Sequence, residues 1–109
     1  MKTIYKYPIN PFNSDTFETY EGFKPLHVGV DHNDGMCVWL EIDTTNKPIV
    51  AEVKVVATGQ AIDFYVEGAS SEFDQLYTET FNVYTPTKPF QFVGTIIRRN
   101  GLVWHIYLR

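Results

Sequence analysis

A chain of 109 residues fits one domain, and a domain of that size buries roughly 60–70% of its unfolded surface, enough for a core without staples. The net charge of −4 argues against a sequence-independent grip on DNA or RNA, which needs a basic face to displace counterions from phosphates. The single cysteine, Cys37, excludes an intrachain disulfide, and no stretch approaches the roughly 18 consecutive apolar residues of a membrane-spanning helix.

The first twelve residues hold no apolar run of the signal-peptide kind, so the expected compartment is the cytoplasm. Aromatic residues make up 16% of the chain, a bias toward pleated, half-buried sheet. In chain order, Thr3–Tyr7 reads as a strand ended by Pro8 and Pro11, and Thr16–Tyr20 as a weaker strand closed by Gly22. Leu26–Asp31 and Met36–Ile42 alternate apolar and other residues around His32-Asn33-Asp34-Gly35. A three-residue loop of Asn33, Asp34 and Gly35, with Gly35 left-handed, sets Val30 opposite Val38, Val28 opposite Leu40 and Leu26 opposite Ile42. The other face then pairs Asp31 with Cys37, Gly29 with Trp39 and His27 with Glu41. Thr44–Pro48 is a turn, and Ile49–Thr58 a strand with Val53, Val55 and Ala57 inward, Glu52 and Lys54 outward, ended by Gly59.

Within 63–88, Ser71-Glu72-Phe73-Asp74 resembles a capping box, and Phe73, Tyr77 and Phe81 recur at helical spacing. That predicts one short helix within 71–83, although Thr78, Thr80, Val83 and Tyr84 favour strand. Phe90–Arg98 and Leu102–Arg109 flank Asn100-Gly101, a hairpin signal. A two-residue loop pairs Ile97 with Trp104, Thr95 with Ile106 and Val93 with Leu108; a three-residue loop from Arg99 slips this by one. In either register both faces are apolar, which places the pair inside a sandwich or at a contact between copies, so a homo-oligomer is expected. The expected fold is a single all-β domain over 1–109, a mainly antiparallel sandwich or flattened barrel built from hairpins.

Chemistry-bearing motifs are sparse. Asp31-His32-Asn33-Asp34-Gly35 is one residue short of a calcium loop and lacks the closing Glu, so a turn accounts for it. His27 beside Glu41 reads as a surface cross-strand pair, and Cys37, with Asp31 near it, as an inert thiol. No glycine-rich phosphate loop, CxxC, HExxH or GxSxG occurs, so no catalytic residue, metal or cofactor is expected. One constellation remains. Thr58, Gly59 and Gln60 end a strand, Arg98 and Arg99 cap the last hairpin, and Tyr5, Tyr7, Trp39 and Trp104 offer flat rings, with His105 between apolar neighbours. Aromatic faces with arginine forks suit a nucleotide or another small anionic planar ligand.

Several blocks resemble a family of small phage and prophage domains of unknown function. They are Met1-Lys2-Thr3-Ile4-Tyr5-Lys6-Tyr7-Pro8, Leu26-His27-Val28-Gly29-Val30, Cys37-Val38-Trp39, Val56-Ala57-Thr58-Gly59-Gln60, Phe92-Val93-Gly94-Thr95 and the closing Gly101-Leu102-Val103-Trp104-His105-Ile106-Tyr107. The resemblance implies a β-rich fold and a phage origin, and it marks 63–88 as an insertion, since family members have a shorter connection there. Where the family commonly has His, this chain has Gln60, so a role resting on that imidazole has no counterpart here. The resulting expectation is a non-enzymatic binding protein in the host cytoplasm that sequesters a small nucleotide-like signal at a subunit junction. Two alternatives stay open: a module that blocks a host protein, with the aromatics of 63–88 as anchors, and an accessory virion component.

Overall fold

The computed structural model describes residues 1–10, 15–67 and 88–109. Seven strands run in the order β1 (Lys2–Pro8), β2 (Asp15–Tyr20), β3 (Lys24–Val30), β4 (Met36–Asp43), β5 (Pro48–Ala57), β6 (Gln91–Ile97) and β7 (Val103–Leu108). They form two antiparallel sheets, β1-β4-β3 and β2-β5-β7-β6, packed face to face as a sandwich and not a closed barrel. The all-β expectation holds, and no helix occurs among the described residues. The helix expected within 71–83 lies outside them.

The core follows from alternation. Met36, Val38, Leu40 and Ile42 point from β4 to the second sheet, where Val53, Ile96, Ile106 and Leu108 meet them. The two flanks are shut differently. On one, Tyr7 stacks near Phe17 with ring centroids 4.6 Å apart, and its hydroxyl donates to buried Thr19 Oγ1 at 3.1 Å. On the other, β3 crosses β6 so closely that a Cβ at Gly94 would overlap the Val28 side chain.

A second, smaller core covers the back of the second sheet. Val56 and Tyr107 lie there under Phe64 and Phe90, so β5 buries apolar residues on both faces and not only through Val53, Val55 and Ala57. The segment that brings Phe64 returns at Phe90: Val66 and Phe90 form a parallel bridge, Phe90 N donates to Tyr65 O, and Glu67 N donates to Phe90 O. Arg109 lies over the Phe90 ring and donates to Lys88 O at 3.0 Å.

The first hairpin differs in pairing from the sequence expectation, and the second takes the slipped register of its two alternatives. In the first, Asp31 N donates to Gly35 O, Val30 pairs with Met36 and Val28 with Val38, two residues from the expected register. A shift of two keeps every side chain on its face, so the buried set of β4 is as expected. The left-handed residue is Asp34, with φ 62°, and not Gly35. The cause is Asp31, whose Oδ1 accepts from Asn33 N (2.9 Å) and Gly35 N (3.0 Å), fixing the turn one residue earlier. A bulge between Pro25 and His27 then leaves Leu26 exposed rather than opposite Ile42. In the second hairpin the three-residue loop from Arg99 is the one formed, with Gly101 left-handed at φ 84° and Arg98 N donating to Leu102 O. Ile96 therefore faces Trp104 and Thr95 faces His105, until a bulge at Val93 shifts Phe92 opposite Tyr107.

The turn hydrogen bonds from Gly35 and Asn33, and then Lys6 3.5 Å away, hold the Asp31 carboxyl below the usual carboxylate range. The stability tied to that shift is present above the unfolded-state value of about 3.9 and is lost as pH falls through the lower folded value. Urea unfolding of Asp31→Asn is expected to show weaker acid destabilisation below about pH 4 than the wild type. Parallel pH profiles for the two proteins would contradict this.

Candidate functional site

The ten residues expected to form a ligand site lie in four places. Tyr7 and Trp104 pack against the central core, and Tyr5 sits beside Tyr7 at the exposed flank, ring centroids 6.3 Å apart. Arg98 ties the two hairpin turns together, its Nη2 donating to Asp34 O at 2.7 Å and to Asp34 Oδ2 at 3.3 Å. These side chains serve packing and the link between sheets, so the aromatic–arginine cluster does not assemble.

Thr58, Gly59, Gln60 and His105 gather at one end of the second sheet's outer face, with Arg99 exposed in the adjacent hairpin turn. Thr58 N donates to Val103 O, and Gln60 closes its own turn, donating from its backbone to Ala57 O and accepting from Ala57 N at Oε1. His105 bridges two hydroxyls, Thr58 Oγ1 at 2.9 Å from Nε2 and Thr95 Oγ1 at 3.0 Å from Nδ1. A neutral imidazole donates at one nitrogen and accepts at the other, and threonine hydroxyls can serve either role. The second partner is thus a neutral hydroxyl where a nucleophile–base pair is normally oriented by a carboxylate.

Trp39 stands apart, on the outer face of the first sheet. Register places Lys6 of β1 on one side of it and His27 of β3 on the other. The sequence expectation of His27 opposite Glu41 is therefore corrected: Glu41 faces Lys24 on one side and Ile4 on the other. The His27 ring lies 5.4 Å from the Trp39 ring at 41°, and a Cβ at Gly29 would come 2.9 Å from His27 Nε2. Glycine at 29 thus leaves the room in which the imidazole lies along the sheet. Lys2 and Asp43 form the next row, and Lys6 Nζ reaches Asp31 Oδ2 at 3.5 Å. Beside this pair Cys37 is buried, its Sγ donating to Gly35 O at 3.5 Å; burial, then the Asp31 charge, pushes its thiol up, away from a reactive thiolate.

Lys6 and Lys24 are thus neighbours of Trp39 that sequence reasoning did not place there, whereas His27 and Glu41 were expected on the same face, one row along. The only available signal was parity, usable once β1 is known to pair with β4. Among the described residues no group of three or more His, Cys, Asp or Glu is placed to hold a metal ion. No helix of the described residues is long and apolar enough to cross a membrane.

Residues 1–109 match the family described as Domain of unknown function (DUF7352). The chain belongs to this family. The DUF7352 match takes in every strand of both sheets, Trp39 and the His105 row alike. No curated protein and no solved structure matches the chain.

Proposed function

We propose that this DUF7352 domain is a phage-encoded, non-catalytic binding protein of the host cytoplasm that sequesters a small nucleotide-like signal molecule. The Lys6–Trp39–His27 row carries this reading: an indole face with a cation and an imidazole in register beside it. Indole faces stack on any base, and such stacking is worth about 1–3 kcal/mol per base by alanine substitution. Three lysines (Lys2, Lys6, Lys24) balance three carboxylates (Asp31, Glu41, Asp43) around this face, so the chain's net charge of −4 lies elsewhere. A phosphate approaching this face therefore meets no local excess of negative charge. The phage setting is supported by the sequence blocks that resemble phage and prophage domains.

Thermal melts against a panel of nucleotides are expected to rise with ligand concentration. Trp39→Ala should weaken binding roughly 10- to 100-fold, the equivalent of one stacked base, and the ligand should be recovered chemically unchanged. A folded wild-type sample that no nucleotide stabilises would sink the proposal.

One observation favours a second reading, a protein-interaction or self-association surface on the outer face of the second sheet. Ile97 is 72% exposed and Phe92 54%, both on the edge strand β6. Of the aromatics of 63–88 considered as anchors, Phe64 is buried in the second core and Tyr65 is half-buried; Phe73, Tyr77, Phe81 and Tyr84 lie outside the described residues. On this reading light scattering finds an oligomer that Ile97→Asp converts to a monomer; a wild-type monomer that captures no host protein counts against it.

A further inference from the structure

Resting on the reading of Trp39 as a stacking platform, we infer that the base it takes is of the guanine type, selected by the Glu41 carboxylate. Glu41 is two residues along the same strand on the same outer face, about 7 Å from Trp39 at strand spacing. Leu40 and Ile42, its neighbours in the chain, point the other way and are buried in the core. The Glu41 side chain is half-buried, and no hydrogen bond or ion pair among the described residues engages its carboxylate. Ile4 on one side supplies apolar wall, and Lys24 on the other supplies a cation.

An ionised carboxylate is acceptor-only and takes two parallel hydrogen bonds. Guanine presents two adjacent donors on one edge, its ring N1–H and its exocyclic amino group, and so matches both oxygens at once. Adenine and cytosine place a ring lone pair beside the amino group, which would face a carboxylate oxygen with repulsion. Uracil and thymine offer one N–H between two carbonyls. A stacked ring whose donor edge is turned along β4 toward Glu41 turns its sugar and phosphate the opposite way, toward Lys6, which pairs with Trp39 and reaches away from Glu41 to Asp31. The indole supplies affinity for any base, and the carboxylate supplies the choice among them.

Calorimetric titration of the full chain with GMP, IMP and AMP tests this, with circular dichroism confirming that every variant is folded. GMP is expected to bind at least tenfold more tightly than AMP, with IMP, which keeps N1–H and lacks the amino group, between them. Glu41→Gln should bring GMP down to the level of AMP. Equal binding of GMP and AMP that Trp39→Ala abolishes overturns the guanine inference and leaves the stacking platform standing, as does a GMP preference that Glu41→Gln does not reduce. Binding by neither nucleotide, or binding that Trp39→Ala leaves intact, overturns the platform and this inference with it.

Discussion

Ile106→Ala is expected to cost about 2–5 kcal/mol of unfolding free energy, read from urea denaturation with an unchanged m-value. Ile106 has no exposed surface and sits in β7, a central strand of the second sheet, between Val55 of β5 and Gly94 of β6. Its side chain lies in the layer where Leu40 and Val38 of the first sheet meet Val53 and Leu108 of the second. Strands pinned on both sides cannot collapse into the space that three lost carbons leave, so the cavity cost adds to the lost transfer energy. Val50→Ala is the matched control, since Val50 is on β5 but 63% exposed, and it is expected to move stability by well under 1 kcal/mol. Comparable effects at the two positions would contradict the two-sheet core.

Gly94→Ala is the second substitution with a large expected cost, about 1–3 kcal/mol, and its origin is opposite. The new methyl has no cavity to fill; it would overlap the Val28 side chain where β3 crosses β6. Either the sheets part along that flank or Val28 leaves its rotamer. The pair therefore makes a discriminating double-mutant cycle. Val28→Ala alone should destabilise by removing core packing, yet in the Gly94→Ala background it should restore part of the loss. A coupling of about 1 kcal/mol or more with that sign is expected. Strictly additive effects would show that the crossing is not the constraint.

Much of the frame was legible because alternation is local. Met36, Val38, Leu40 and Ile42 announce a buried face whatever strand lies beside them, and that face is the one found. Pairing was less legible because it hinges on which residue of a turn goes left-handed. The Asp31 side chain, by capping two backbone N–H groups, moved that role from Gly35 to Asp34. The exposed Leu26 and the shifted Phe92 come from bulges, which no period-two pattern reveals. The site was least legible. Trp39 was recognised as a ring that could stack, but its companions come from β1 and β3, and β1 is brought to β4 across more than thirty residues. Arg98 looked like a ligand fork and instead spans 64 residues to Asp34, a contact that only the packing of two sheets creates. Composition names the residue types a ligand needs; topology decides which of them meet.

The bridge between Val66 and Phe90 has a consequence for how this scaffold can change over generations. Glu67 N donates to Phe90 O and Gln91 Nε2 donates to Glu67 Oε2 at 2.6 Å, so the described chain on either side of residues 68–87 is fastened together. Whatever is spliced between those residues meets the frame at a closed gate, and each doubling of its length costs only about 0.6 kcal/mol of closure entropy. Because the two ends are already held together, a difference in the length of the chain between them carries little closure entropy.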